Sequence, residues 1–196
     1  MSTLNADAQA VLDFWFGAAD DADHLASRPQ WFRKDDAFDA QIASRFGTVI
    51  EAALAGGLNQ WLGPPLGRLA LLVVLDQFTR NVFRGDARSF AGDARALTIA
   101  QDLVRSGDDR SLTGVQRQFA YLPFEHAEDL AMQAESLRLF AALGVDHPAL
   151  EGLLDWAQRH EVIVARFGRF PHRNQALGRV SSAEELAFLA TPGSGF

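Results

Sequence analysis

The chain has 196 residues and a formal charge of −7, with seventeen arginines, one lysine and no cysteine. That length suits one hydrophobic core, and 48% hydrophobic with 22% charged residues excludes a disordered chain. The missing cysteines exclude disulfides, thiolate metal centres and thiol nucleophiles, and the acidic balance argues against a nucleic-acid partner.

Helical spacing runs through the whole sequence and no stretch alternates as a strand would. Ala8, Val11, Leu12, Trp15 and Phe16 mark a first helix that Gly17 ends. Beyond a polar stretch with Pro29, the segment "WFRKDDAFDAQIASRFGTVIEAALAGG" carries a stripe of Phe38, Ile42, Phe46, Val49 and Ala53, with Gly56 and Gly57 as the stop. After Pro64 and Pro65, "LGRLALLVVLDQFTRNVFRG" is apolar nearly all round, as expected of a central helix. "DARALTIAQDLVRSG" then puts Ala96, Ile99, Ala100 and Leu103 on one face.

Thr113 and Gln116 form a capping-box start for the next helix, which Pro123 breaks or kinks. From Pro123 to Leu143 the pattern predicts one long helix with Leu130, Ala134, Leu137 and Ala141 inward, stopped by Gly144. His147 and Pro148 open another, with Leu150, Leu153, Ala157 and Val164 inward and Gly168 as its end. "VSSAEELAFLATPG" is a short last helix, capped by Ser181 with Glu184 or by Ser182 with Glu185. Seven or eight helices on short turns predict an all-α fold of stacked antiparallel hairpins, read as one domain over 1–196. No apolar run exceeds "LALLVVL" (69–75) and the N-terminus lacks a basic leader, so a soluble, unexported, cytoplasmic chain with no membrane partner is expected.

Three places carry polar chemistry. On the central helix, a turn of about 100° per residue sets Asp76, Arg80 and Arg84 on the side of Leu69 and Val73, with Asn81 nearby. Asp76 and Arg80 are spaced for a structural i,i+4 ion pair, and Arg80 and Arg84 alternatively face a ligand. In "LPFEHAEDLAMQ", His126 and Gln133 border the apolar stripe, whereas Glu125 and Glu128 point away from it. The next helix turns back near Val145, so residues whose numbers sum to about 290 lie opposite one another, and His126 falls about one turn from His160. His126, His160 and Glu125 are therefore candidates for general acid/base catalysis. Glu125, His126, Asp129, His160 and Glu161 are also metal-ligand types, but with Glu125 turned away from His126 neither metal nor other cofactor is expected.

The third place is "RFGRFPHRN" (166–174). Arg159, Arg166, Arg169, Arg173 and Arg179 against the one acid Glu161 make a local charge of +4 on an acidic chain. With His172 and Asn174 beside them, these guanidiniums suit fork-like recognition of carboxylate or phosphate. Alternatively they pair with the acids of "EHAED".

Taken together, "VLDFWFG" (11–17), "WFRKDDAFD" (31–39), "LDQFTRNVFRG" (75–85), "YLPFEHAEDLAMQ" (121–133) and "RFGRFPHRNQALGRVSSAEELAFL" (166–189) resemble the bacterial DUF924 family over nearly the whole chain. The resemblance implies an all-α fold of the tetratricopeptide-like superfamily, a right-handed helical array. It marks Asp76, Gln77, Arg80, Asn81, Arg84, Glu125, His126, Gln133, Arg169, His172, Arg173 and Asn174 as motif positions and implies no activity. Two functions remain open: a polar pocket for a small anionic ligand, lined by residues of that set and His160, or a helical scaffold that takes a protein or peptide in a concave groove.

Overall fold

The computed structural model describes residues 4–194, so the domain read over 1–196 extends past the described residues at 1–3 and 195–196. Among the described residues there are eight α-helices and no strand. Helix α1 (Ala6–Phe16) begins where the Asn5 side chain accepts from the amides of Asp7 and Ala8. Asp35 caps α2 (Asp36–Leu54) in the same way through the amides of Ala37 and Phe38. On α2 the buried residue of the fourth turn is Ile50, with the expected Val49 only half-buried, so the stripe runs one residue further round.

Helix α3 (65–82) is the centre of the molecule. Every residue from Gly67 to Thr79 is buried. Its middle is a π-helical turn, Val73–Phe78, flanked by α-helical Pro65–Leu72 and Thr79–Val82. Side chains serve the carbonyls there: Thr79 Oγ1 donates to Leu75 O at 2.8 Å and Arg80 Nη1 to Asp76 O at 2.8 Å. Aromatic rings of α1 and α2 close over it, with Phe46 5.1 Å from Phe78 and Trp15 5.6 Å from Phe78.

Helix α4 (Asp93–Arg105) buries the four residues expected of it, Ala96, Ile99, Ala100 and Leu103. Helix α5 (Gly114–Glu125) starts in the Thr113–Gln116 capping box and runs through Pro123, ending two residues later. The long helix expected from Pro123 is therefore broken at 126–129, and α6 (Leu130–Asp146) starts afresh on Asp129, whose carboxylate accepts from the amides of Ala131 and Met132. This restart changes the face. Gln133, Ser136, Leu139, Phe140 and Leu143 are buried, whereas Leu130, Ala134 and Ala141 are exposed and Leu137 is half-buried. Gly144 does not stop α6; it lies inside the helix, where the backbone of Glu151 comes close.

Helix α7 (Leu153–Phe167) buries Ala157, His160, Ile163 and Val164, with Leu150 and Leu153 half-buried, and ends at Gly168. Ser182 and Glu185 form the capping box of α8 (Ala183–Leu189). Short connections fold α5, α6 and α7 back on one another as packed neighbours, an arrangement compatible with a tetratricopeptide-like array. No helix among the described residues is long and apolar enough to cross a membrane.

The start of α4 meets the π turn at close range, because a Cβ on Gly92 would lie 2.2 Å from the carbonyl oxygen of Leu75. Gly92→Ala is expected to push α4 off α3 and to lower unfolding stability by about 1–3 kcal/mol, as read by urea denaturation; an unchanged midpoint would show that this contact yields freely.

Candidate functional site

The π turn delivers Asp76 into the interior with 1% of its surface exposed. Its Oδ1 lies 2.7 Å from His126 Nδ1 and 3.2 Å from Arg80 Nη1, and Gln77 Nε2 donates to Oδ2 at 2.6 Å. Burial alone would raise the Asp76 pKa, but the charges of Arg80 and His126 and the hydrogen bonds from His126 and Gln77 hold it well below the carboxylate range. The cluster is thus built around a buried carboxylate that Arg80, His126 and Gln77 engage.

Arg80 continues outward to Asp93 at the start of α4, with Nη1–Oδ1 at 2.8 Å and Nη2–Oδ2 at 3.0 Å. Arg173 reaches the same carboxylate from the far end of the chain, Nη1–Oδ2 3.0 Å, and donates from Nη2 to the carbonyl of His126 at 2.9 Å. Both guanidiniums sit over the ring of Phe90, at 5.6 and 4.7 Å, and Arg173 also over Phe170 at 4.7 Å. Burial, and then the neighbouring charge of Arg80, push the Arg173 pKa down to about 10. Its Nε is buried without a hydrogen-bond partner.

Behind this layer lie Glu125, at the last turn of α5, and His160 of α7. The expectation that Glu125 points away is overturned: it is 4% exposed, with Oε1 3.1 Å from His160 Nδ1. Glu125 belongs to α5, whose residues from Arg117 to Glu125 are all buried, so its side chain follows that helix and not the face of α6. Burial first, and then the charge of Asp76, push the Glu125 pKa up to about 8. Burial pushes His160 down to about 3 and His172 to about 4, and it lowers His126 against the pull of Asp76. The rings of His126 and His160 are 6.0 Å apart, and Phe170 packs 5.5 Å from His160 and 5.7 Å from His172. Gln133, fully buried, donates from Nε2 to the carbonyls of Glu125 and Ala127 at 2.7 and 2.8 Å and so fixes the break; its Oε1 has no hydrogen-bond partner. An imidazole whose Nδ1 is held by a carboxylate presents a defined second nitrogen for proton transfer or for a ligand.

The structure thus brings Asp76, Arg80, Glu125, His126, His160 and Arg173 together, with Gln133 beneath and His172 at the edge. It does not bring Asn81 or Arg84 to them. The wide π turn shifts the faces that follow it, and the helix ends at Val82, so both side chains meet Asp39 of α2, at 2.6 Å from Asn81 and 3.0 Å from Arg84. Nor do Arg169 and Asn174 face the cluster. Arg169 forks onto Glu185 at 2.6 and 2.8 Å, and Asn174 holds Ser181 and Arg179 at 3.0 and 2.9 Å. Arg166 pairs with Glu184 and Arg159 stacks over Trp156, whereas Arg179 takes Glu128, the one acid of "EHAED" that serves this loop. Sequence reasoning missed Asp93 and Phe90. Asp93 reads as an ordinary acid in a first helical turn, and its partners stand 13 and 80 residues away.

The chain matches the family described as "Bacterial protein of unknown function (DUF924)" over residues 11–193. It is similar to a solved structure of a protein of unknown function from Agrobacterium tumefaciens, with 41% identity and a TM-score of 0.81, over 94% of this chain and 97% of that one. No curated protein matches it.

Two outcomes are expected of this geometry. Asp76→Asn keeps the shape and removes the buried charge on which Arg80 and His126 converge, and should cost about 3–5 kcal/mol in denaturant unfolding; a loss below about 1 kcal/mol would mean the pair contributes little. The fork from Arg169, with the Ser182 amide, brings the Glu185 pKa down to about 2. A carboxylate whose folded pKa is depressed stabilises above its unfolded value and loses that contribution as pH falls towards the folded value. Wild type should therefore lose stability between about pH 5 and pH 2 more steeply than Glu185→Gln; parallel curves of melting temperature against pH would contradict it.

Proposed function

The chain belongs to the DUF924 family of bacterial proteins, and from that premise we propose that it is a cytoplasmic protein that binds a small anionic molecule, a carboxylate or a phosphate, at Arg80 and Arg173 beside His126 and His172. One observation carries the reading. Two guanidiniums are held over one phenyl ring and share one carboxylate, Asp93, and the more buried of them keeps Nε without a partner. The planar forks of Arg80 and Arg173, with the unpartnered Nε of Arg173, suit the oxygens of an added carboxylate or phosphate. Arg84, Asn81, Arg169 and Asn174 drop out of the binding set because Asp39, Glu185, Ser181 and Arg179 engage them elsewhere.

The interaction-scaffold reading draws on a different place, the groove beside Trp156, Val162 and Phe188, where Trp156 and Val162 are exposed. The two are separated by where a ligand effect is lost on substitution.

The test is a melting-temperature screen at fixed ionic strength with inorganic phosphate, phosphomonoesters, and di- and tricarboxylates. A ligand at a hundred times its dissociation constant should stabilise wild type by about 2.7 kcal/mol, a rise of roughly 5 to 10 °C for a chain of this size. The rise should vanish in Arg173→Gln and persist in Arg84→Ala. A screen in which no anion shifts wild type, or in which Arg84→Ala loses as much as Arg173→Gln, overturns the reading.

A further inference from the structure

Glu125 is a buried carboxyl with no arginine or lysine among its ion partners in the described residues; its one such partner is His160. The charge count around it is uneven. Three carboxyl groups, Asp76, Asp93 and Glu125, face two guanidiniums, Arg80 and Arg173. A buried anionic group needs a cation or a proton. The two groups nearest Glu125 are imidazoles, and one donor atom each from Glu125, His126 and His160 lie within 4.8 Å of one another.

We propose that Glu125, His126 and His160 form a binding site for a first-row divalent transition-metal ion, with Zn2+ as its reference ion. Two imidazoles and one carboxylate without sulfur are a donor set for such an ion, and three protein ligands leave a coordination position open. Bonds of about 2.0–2.2 Å set the donors of one ion about 3.5 Å apart, so side-chain rotations on the order of 1 Å close the present spacing.

The surroundings are those of ligands already oriented. Asp76 holds His126 Nδ1 at 2.7 Å, which directs Nε2 to a metal, and His160 turns Nδ1 towards Glu125 at 3.1 Å, with the carbonyl of Trp156 2.9 Å from the same nitrogen. A carboxylate on the far nitrogen of a ligating imidazole, as Asp76 is for His126, fixes its tautomer and raises its basicity. Gln133 anchors the backbone that places Glu125, and Phe170 forms an apolar wall on His160. His126, with 15% of its side chain exposed, marks the way in. Asp76 is in this scheme a positioning residue and not a ligand.

The proposal does not rest on the anion reading, and its experiment uses the metal alone in a buffer free of phosphate and carboxylates. Chelator-treated protein is titrated with Zn2+ by calorimetry and with Co2+ by visible absorption. Wild type should take up one equivalent, with Co2+ bands of nitrogen and oxygen ligation. Glu125→Gln and His160→Gln should each bind at least ten times more weakly. Asp76→Asn should lose about 10- to 100-fold in affinity while keeping the Co2+ spectrum, because its ligand set is intact. His147→Gln, away from the cluster, should bind as wild type does.

Because a buried variant that unfolds would lose metal for a trivial reason, wild type is also read directly by histidine-ring nitrogen NMR. Zn2+ should shift His126 and His160 and leave His24 and His147 in place. The absence of a stoichiometric uptake by wild type, shifts confined to His24 or His147, or unchanged binding by folded Glu125→Gln and His160→Gln would overturn the site. Metal uptake by a wild type whose melting temperature no anion raises would leave this site standing and remove the anion reading.

Discussion

The buried carboxylate of Asp76 is the constraint on which the centre of this molecule depends. An ionised group with 1% exposure is stable in an apolar core only if its neighbours replace the water it has lost. Asp76 has three such neighbours on one helix and a loop: Arg80 and Gln77 on its own helix, and His126 just past the end of α5. Each is then committed to a position. Arg80 carries the connection to Asp93 on α4, and Arg173 brings in the loop after α7.

The π turn is the backbone counterpart of that charge. A wide turn interrupts the regular ladder of a helix that is otherwise buried all round, and such turns recur at functional sites. Here it spans 73–78 and carries Asp76 and Gln77 into the polar cluster. Thr79 and Arg80 put side-chain donors onto the carbonyls of Leu75 and Asp76, and α4 enters against Leu75 at Gly92, where no side chain would fit. Charge placement, helix geometry and a close backbone approach are met in one segment.

A second buried polar network shows by contrast what is distinctive about the first. At the far end of α5, Tyr121 donates to Asp109 at 2.6 Å and accepts from Arg117 Nε at 3.0 Å, while Arg117 pairs with Asp146 at 2.9 Å. Burial and then the Asp109 bond raise the Tyr121 pKa to about 12. The Arg117 cation meets the carboxylate of Asp146 and the Tyr121 hydroxyl, and the network ties α5 to the 108–111 turn and to the end of α6. The Asp76 cluster instead leaves Glu125 facing imidazoles, with acceptor and donor atoms of Gln133 and Arg173 unmatched. That imbalance sets the Asp76 cluster apart from the Tyr121 network.

By itself the sequence determined the number of helices, most of their ends and the faces of α1, α4 and α7, because capping residues, glycines and a 3.6-residue period act over a few neighbours. It also pointed to the meeting of His126 with His160, although His126 sits in the break before α6 and not on an arm of the α6–α7 hairpin. Tertiary structure alone decided what lies between those arms. The buried end of α5 set Glu125 inward, and the restart of α6 at Asp129 rotated that helix so that Gln133 and Ser136 replaced leucines on its buried face. The π turn sent Arg84 and Asn81 to Asp39, and Asp93 entered the cluster through partners 13 and 80 residues away. Buried charges are placed by which groups can neutralise them across the whole chain, and no local pattern encodes that balance.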